Sequence, residues 1–297
     1  MGKWFGGEEA RGIELGGVEL GAEPWLVLGG GGLRGLAHLG AWEVLVEAGF
    51  EPTGIVGTSI GALVGACLSE GRPVSDLQKE ARALVKDDIA QMSRRALWVG
   101  GVRAPSLYRG DVLRRYLERV VPEGGWEALR IRFQANAVEL GTGRTEWFGI
   151  GARTDVPLSE ALYASSALPV FYPPCPLPGG LYVDGGTCDS LPIRRAAELG
   201  ATGIVVIDVA AGDESNAAGV VERGMLAIHE RVFSIMAGAR RRETLAAWEG
   251  PQLLYIRPEV GRFETLDFEH LDRFIAEGRR AAALALDGDP AAEASPA

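Results

Sequence analysis

Residues 57–61 read Gly-Thr-Ser-Ile-Gly, a Gly-x-Ser-x-Gly pattern with Ser59 at its centre. A serine hydroxyl attacks a carbonyl carbon once a base takes its proton. The pattern serves that chemistry where a strand reverses into a helix within about two residues, which strains the serine backbone and exposes its Oγ. Side chains at Gly57 and Gly61 would collide across such a turn. The first N–H groups of the following helix also place positive partial charge beside the nucleophile. Five-residue patterns recur by chance, so the flanks decide. GIVGTS (54–59) reads as a short strand and the small residues up to about Leu68 as a helix, which is the context the pattern requires.

A base can come from two places. The chain has three histidines, His38, His229 and His270, and the order Ser59, Asp208, then His229 or His270 matches a Ser-Asp-His triad. AIHERVF and DFEHLDRF, however, put His229 and His270 in charged helical patterns rather than in a glycine-rich loop after a strand. Surface or helix-packing roles are expected for both. LYVDGGTCDSLP (181–192) offers Asp184 at the end of an apolar strand, followed by Gly185 and Gly186, which let the backbone turn tightly. A carboxylate held there could contact the Ser59 Oγ directly and act as general base in a Ser–Asp dyad. Asp-Gly is also a plain hairpin turn, and taken alone the motif leaves both readings open.

Gly29 to Gly32 are four consecutive glycines in VLGGGGLRGLAHLG (27–40), and Gly30, Gly32 and Gly35 satisfy a dinucleotide-binding spacing. That fingerprint needs an acidic residue at the end of the next strand, about 20 positions on, to hold the ribose. Ser59 and its glycines occupy that place, and no Gly-Lys-Ser/Thr follows for a P-loop. The remaining negative charge is the oxyanion of acyl transfer at Ser59. Losing one of its N–H donors raises the barrier by about 3 kcal/mol. Gly30, Gly31 and Gly32 can turn their N–H groups outward, and a helix beginning near Leu33 adds its dipole.

These motifs need a scaffold. WLVLGG (25–30), GIVGTS (54–59), IRFQANAVEL (131–140), LYVD (181–184), TGIVVIDVA (202–210) and QLLYIRP (252–258) read as strands. Helical periodicity covers residues 33–48, 190–199, 219–249 and 267–286. The alternation predicts an α/β layered domain with a largely parallel sheet. Residues 1–23 read as a loose arm or short hairpin, 24–286 as one domain with a helical insertion at 72–122, and 287–297 as a disordered tail.

The chain has 297 residues, 47% hydrophobic and 24% charged, with 42 glycines, a globular composition with length for a large core. A net charge of −10 argues against nucleic acid and against general adhesion to anionic lipid. Seven arginines and two acids nevertheless fall between Met92 and Val121. That segment reads either as a solvated helical insertion paired with acids elsewhere, or as a lip that meets phosphate head groups. Three cysteines, Cys67, Cys175 and Cys188, form no C-x-x-C pair, so neither a disulfide framework nor a zinc site is expected. The first 25 residues contain no signal-peptide core, and four glycines interrupt the uncharged stretch 52–69 that a hydropathy scan would flag as a span. A cytoplasmic location is expected, with attachment to the inner face of the membrane as its variant.

GGGGLRG (29–35), GTSIG (57–61) and DGG (184–186), in that order, resemble the three signature motifs of the patatin-like phospholipase family. YASSALPVFYPP (163–174) is similar to the Ala-Ser-rich stretch before the family's aspartate motif, and PSLYRGDVLRRYLERVV (105–121) to its insertion. NAVELGTG (136–143) resembles a family strand, with Glu139 where Asp is more usual. The likeness covers roughly residues 24–210. It implies a three-layer α/β/α fold with a mostly parallel central sheet, and hydrolysis of fatty-acyl esters of (lyso)phospholipids without metal or cofactor. It further implies Ser59 as nucleophile, Asp184 as base, and Gly30, Gly31 and Gly32 as oxyanion hole. Arg34, Gly35, Gly57, Gly61, Gly185 and Gly186 support the motifs. Competing readings are a Ser-His-Asp esterase for small soluble esters and a catalytically silent lipid- or acyl-carrier-binding protein.

Overall fold

The computed structural model describes residues 12–93, 103–212 and 216–288. The start of the arm, Arg94, Arg95 and Trp98 of the arginine-rich segment, and the tail from residue 289 lie outside them.

Ten strands and ten α-helices are described. The first two strands, β1 (Ile13–Leu15) and β2 (Val18–Gly21), form an antiparallel hairpin. The described part of the arm is therefore ordered, because Leu15 and Leu20 are buried against the body.

The main sheet contains β3 (Pro24–Leu28), β4 (Gly54–Gly57), β5 (Arg132–Glu139), β6 (Thr145–Gly149), β7 (Cys175–Leu177), β8 (Gly180–Asp184), β9 (Gly203–Ile207) and β10 (Gln252–Ile256). Strands β10, β9, β3, β4 and β5 lie side by side and parallel. Antiparallel β6 and β8 pair with β5, and β7 pairs with β8. The sheet is mostly parallel, as the alternation of elements predicts. Its short antiparallel additions β6 and β7 were not expected from the pattern.

Period-two alternation splits the core into two faces. Leu26, Leu28, Ile55, Val205 and Ile207 pack in one hydrophobic cluster, while Trp25, Val27, Val56, Ile204 and Val206 pack in another. Helices α1 (Ala37–Glu47), α2 (Ile60–Glu70), α3 (Val74–Arg82), α4 (Lys86–Ile89), α5 (Gly110–Val120), α6 (Leu158–Ser166) and α10 (Leu271–Leu286) contribute buried residues to the first cluster. Helix α7 (Ile193–Glu198) and Leu245 of α9 (Met225–Ala246) belong to the second, and α8 (Ala217–Glu222) precedes α9. The result is three layers, α/β/α. Among the described residues no helix is long and apolar enough to cross a membrane.

Strand register explains how two distant motifs meet. Gly57, the last residue of β4, pairs with Ala135 of β5. Asp184, the last residue of antiparallel β8, pairs with Ala137 of the same strand. The two strands therefore run head-on along β5 and end about 7 Å apart, two residues at ~3.3 Å each.

Candidate active site

Ser59 caps α2 with φ 55° and ψ −123°. Such a conformation is open to glycine but strained for a side-chain-bearing residue. The sharp turn closes because Gly57 and Gly61 let the two arms touch; a Cβ at Gly61 would enter the Leu28 carbonyl, and one at Gly57 the Gly61 carbonyl. Ser59 donates its backbone N–H to the Ser165 Oγ at 2.9 Å, so the Ala-Ser-rich end of α6 buttresses the elbow. Among the described residues the other non-glycine with positive φ is Val170, which lies between Leu168 and Phe171 of the cavity wall.

Asp184 is 3% exposed. Burial raises its carboxyl to about 6, partly offset by hydrogen bonds from the Ser59 hydroxyl and from the Gly186 N–H. The Gly186 bond is 2.7 Å long. A hydroxyl donating to a carboxylate with raised proton affinity is a nucleophile matched to a base that can accept its proton near neutral pH. The loop after Asp184 is tied down by both neighbouring strands' elements: Thr58 Oγ1 and Asn136 Nδ2 donate to the Asp189 carbonyl at 3.1 and 2.9 Å. Gly185 has to lack a side chain because a Cβ there would enter the Asn136 amide.

The glycine loop is pinned peptide by peptide. His38 Nε2–H donates to the Gly29 carbonyl at 2.9 Å, and the Gly30 N–H donates to the Ser190 carbonyl at 2.9 Å. Complete burial lowers His38 to about 4, keeping it neutral. Gly30 therefore does not offer its N–H as an oxyanion donor, contrary to the expectation for all three glycines. Its missing Cβ instead leaves room beside the Ser59 Cβ and Thr58. Two peptides further on, Arg34 Nε donates to the Gly31 carbonyl at 3.0 Å and its Nη1 to the Phe263 carbonyl at 3.2 Å. In a trans peptide the N–H opposes the C=O. Arg34 thus directs the Gly32 N–H away from itself. Burial lowers Arg34 to about 10, where it still carries its charge at neutral pH. Replacing Arg34 with Met should remove its donors from the Gly31 and Phe263 carbonyls. The expected result is a loss of about 2 kcal/mol or more in thermal or denaturant unfolding, with a tenfold or greater fall in turnover.

Gly30, Gly31, Gly32, Arg34, Ser59, Asp184 and Gly186 all line one cavity of about 190 Å³. Gly35, Gly57, Gly61 and Gly185 are not among its lining residues; they permit close packing behind it. From Ser59 the cavity follows Ile60, Leu63, Val64 and Cys67 along one face of α2, about 12 Å at 1.5 Å per residue. Leu77, Ala81 and Leu84 of the α3 region, with Leu113, Leu117 and Val120 of the α5 region, close it on the other side. The insertion at 72–122 thus contributes the apolar wall of the cavity, a role its charge pattern did not reveal. Six of its described arginines are ion-paired: Arg72 with Glu80, Arg82 with Asp272, Arg109 and Arg115 with Asp111, Arg114 with Glu160, and Arg119 with Asp88.

The triad order in the sequence is not assembled. Asp208 is buried against Arg241 at 3.2 Å and accepts from the Tyr255 hydroxyl. His270 pairs with Asp267 on the surface at 2.9 Å. His229 lies on α9 as its charged helical pattern predicts, yet its helix turns it toward the same cavity.

Three comparisons place this geometry among known proteins. A family model described as patatin-like phospholipase matches residues 26–197. An uncharacterized NTE family protein of Mycobacterium tuberculosis (strain ATCC 25618 / H37Rv) is 32% identical over 176 residues, 59% of this chain and 46% of that protein. Lysophospholipase NTE1 of Coccidioides immitis is 30% identical over 277 residues, 85% of this chain and 17% of its own length. The chain spans less than half the length of these curated relatives. The crystal structure of VipD from Legionella pneumophila has the same fold, with a TM-score of 0.51 at 15% identity, covering 89% of this chain and 66% of that one.

Proposed function

The chain belongs to the patatin-like phospholipase family, and on that premise we propose that it hydrolyses fatty-acyl esters of phospholipids or lysophospholipids through an acyl-enzyme on Ser59. The observation that carries this reading is that Ser59, on its strained turn, and buried Asp184 line the same mostly apolar cavity, with the serine hydroxyl among the groups that lower the proton affinity of the carboxyl. Asp184 takes the proton as Ser59 Oγ bonds to the ester carbonyl carbon. The oxyanion that forms accepts from the N–H groups of Gly31 and Gly32, beside the N-terminal end of α2. As the intermediate collapses, the carbon–oxygen bond to the alcohol breaks and Asp184 returns the proton to the leaving oxygen. Water then bonds to the acyl carbon as Asp184 takes its proton; the bond to the Ser59 Oγ breaks, Asp184 returns that proton to the serine oxygen, and the fatty acid leaves. Support comes from the names of the relatives as well, among them a lysophospholipase.

The reading is tested by a fluorophosphonate probe and an activity panel over triglyceride, phospholipid, lysophospholipid and short esters. Wild-type labelling together with turnover of the acyl lipids is expected. Absence of both, in a folded protein, overturns it in favour of a silent lipid-binding protein.

Two further outcomes follow from the geometry. His229→Ala and His270→Ala are each expected to keep kcat within about fivefold of wild type, since Asp208 is held by Arg241 and Tyr255. A hundredfold loss with His229→Ala, beside an active Asp184→Asn, would install the triad instead. Bulk placed in the cavity wall should shorten the preferred acyl chain. Ala81→Phe is expected to lower kcat/KM for a palmitoyl ester by about tenfold or more and leave a butyryl ester unchanged, because each lost methylene contact is worth about 1 kcal/mol.

A further inference from the structure

Helix α9 carries an outward apolar face in addition to its inward contacts. A surface helix ordinarily turns its apolar stripe inward and its charges outward. In α9 the buried residues are Gly238 and Arg241, and Arg241 pairs with Asp208. Met225, Ile228, Val232 and Ile235 instead face outward, 84, 40, 48 and 50% exposed. Their spacing of three or four residues makes one continuous ridge, about 15 Å long at 1.5 Å per residue. Val221 of α8 and Met236 of α9 are exposed as well. Soluble proteins rarely leave a contiguous apolar ridge of this kind uncovered.

The adjoining side of the same helix belongs to the site. His229, Phe233 and Ala237 line the cavity that holds Ser59 and Asp184. The ridge and the cavity therefore occupy adjoining faces of a single element. Arginine and glutamate both stand at the ridge's ends, with Arg223 and Glu222 before it and Arg240 and Glu243 after it, all exposed. This mixture fits a weakly charged lipid head-group layer, into which apolar side chains insert while charged ones remain at its level. It contrasts with the arginine-rich segment, four of whose described arginines are already ion-paired.

We infer that the outward ridge of α9 docks the protein onto a phospholipid bilayer, setting the cavity beside it against the source of its substrate. The choice of a lipid surface rests on the acyl-hydrolase reading above. Docking is through apolar insertion, so it needs no anionic lipid and is weakly sensitive to salt.

The test is cosedimentation of the full chain with phosphatidylcholine vesicles, with and without phosphatidylglycerol, alongside hydrolysis of soluble p-nitrophenyl butyrate. Ile228→Glu combined with Ile235→Glu is expected to weaken vesicle binding at least tenfold and leave the butyrate rate unchanged. Val232→Ser with Ile235→Ser, which adds no charge, should reproduce the loss. Ser59→Ala should bind vesicles like wild type. Undiminished binding by both double variants overturns the proposal. So does loss of binding on neutralising Arg94, Arg95 and Arg103 instead, or a wild-type dimer that the ridge variants dissociate while still binding vesicles. If wild-type protein binds vesicles through the ridge but turns over no ester, the docking stands and the hydrolase reading falls.

Discussion

Ser59→Gly is expected to abolish ester hydrolysis and at the same time make the protein more stable. Removing the Oγ removes the only atom that can form the proposed acyl-enzyme, and the loss in kcat should be about a thousandfold or more. The backbone at this position, with φ 55°, holds a conformation that glycine adopts freely and any other residue adopts under strain. Releasing that strain should raise unfolding free energy by about 1 to 3 kcal/mol. Ser59→Ala separates the two effects: it loses the hydroxyl and keeps the strain, so it should be equally inactive without the gain. Fluorophosphonate labelling and thermal melts of the three proteins read both quantities. Labelling that survives in either variant would remove Ser59 from the chemistry. Equal melting temperatures for Ser59→Gly and Ser59→Ala would remove the strain.

The second large effect belongs to Asp184→Asn. Asparagine keeps the shape and can still accept from Gly186, but it cannot take a proton, so a fall of about a thousandfold or more in kcat is expected. In the wild type, kcat/KM should rise as pH passes through about 6 and level off above it, because Asp184 acts only when ionised. The residual activity of the variant should lack that limb. Stability has the opposite slope. Burial raises the folded-state value to about 6 from the ordinary 3.8, so between these values the folded protein binds the proton more tightly than the unfolded chain. The stabilisation is complete below the unfolded value and is lost as pH rises to the folded one. By linkage, ionised Asp184 leaves the protein less stable at neutral pH by about 3 kcal/mol as an upper bound. Asp184→Asn should recover part of that above pH 7 and little at pH 4. Urea titrations at both values measure it, and a variant less stable than wild type at pH 8 would contradict the account. Together the two variants would place the cost of function at both members of the pair, a trade between stability and activity.

How much of this was legible beforehand depends on the range of the interactions. The elbow at 57–61 and the strand end at Asp184 are local features. Glycines on either side of a hydroxyl, after an apolar run and before small helical residues, leave the chain few other conformations. The central strands read correctly for a similar reason, since their apolar runs are nearly continuous. The antiparallel strands β6 and β7 were not visible. Strand β7 is Cys-Pro-Leu, three residues with a proline at its middle, and only its pairing with β8 makes it a strand. The insertion was misleading in another way: its arginines dominate the composition, whereas its leucines on α5 form part of the cavity wall.

The amino-acid sequence determined the candidate reacting groups and their local presentation, because turn geometry, strand periodicity and glycine requirements act over a few residues. Tertiary structure decided which carboxylate meets the serine. Asp184 does so because β4 and β8 end head-on along β5, while Asp208 at the end of β9 is taken by Arg241 and Tyr255. It also decided which glycine N–H groups are already engaged. Gly30 donates to Ser190, a partner that no local window contains, and Arg34, itself held by Phe263, orients the Gly31–Gly32 peptide. Register and long-range hydrogen bonds are satisfied only when the whole sheet is in place, so they are written in the packing and not in any one stretch of residues.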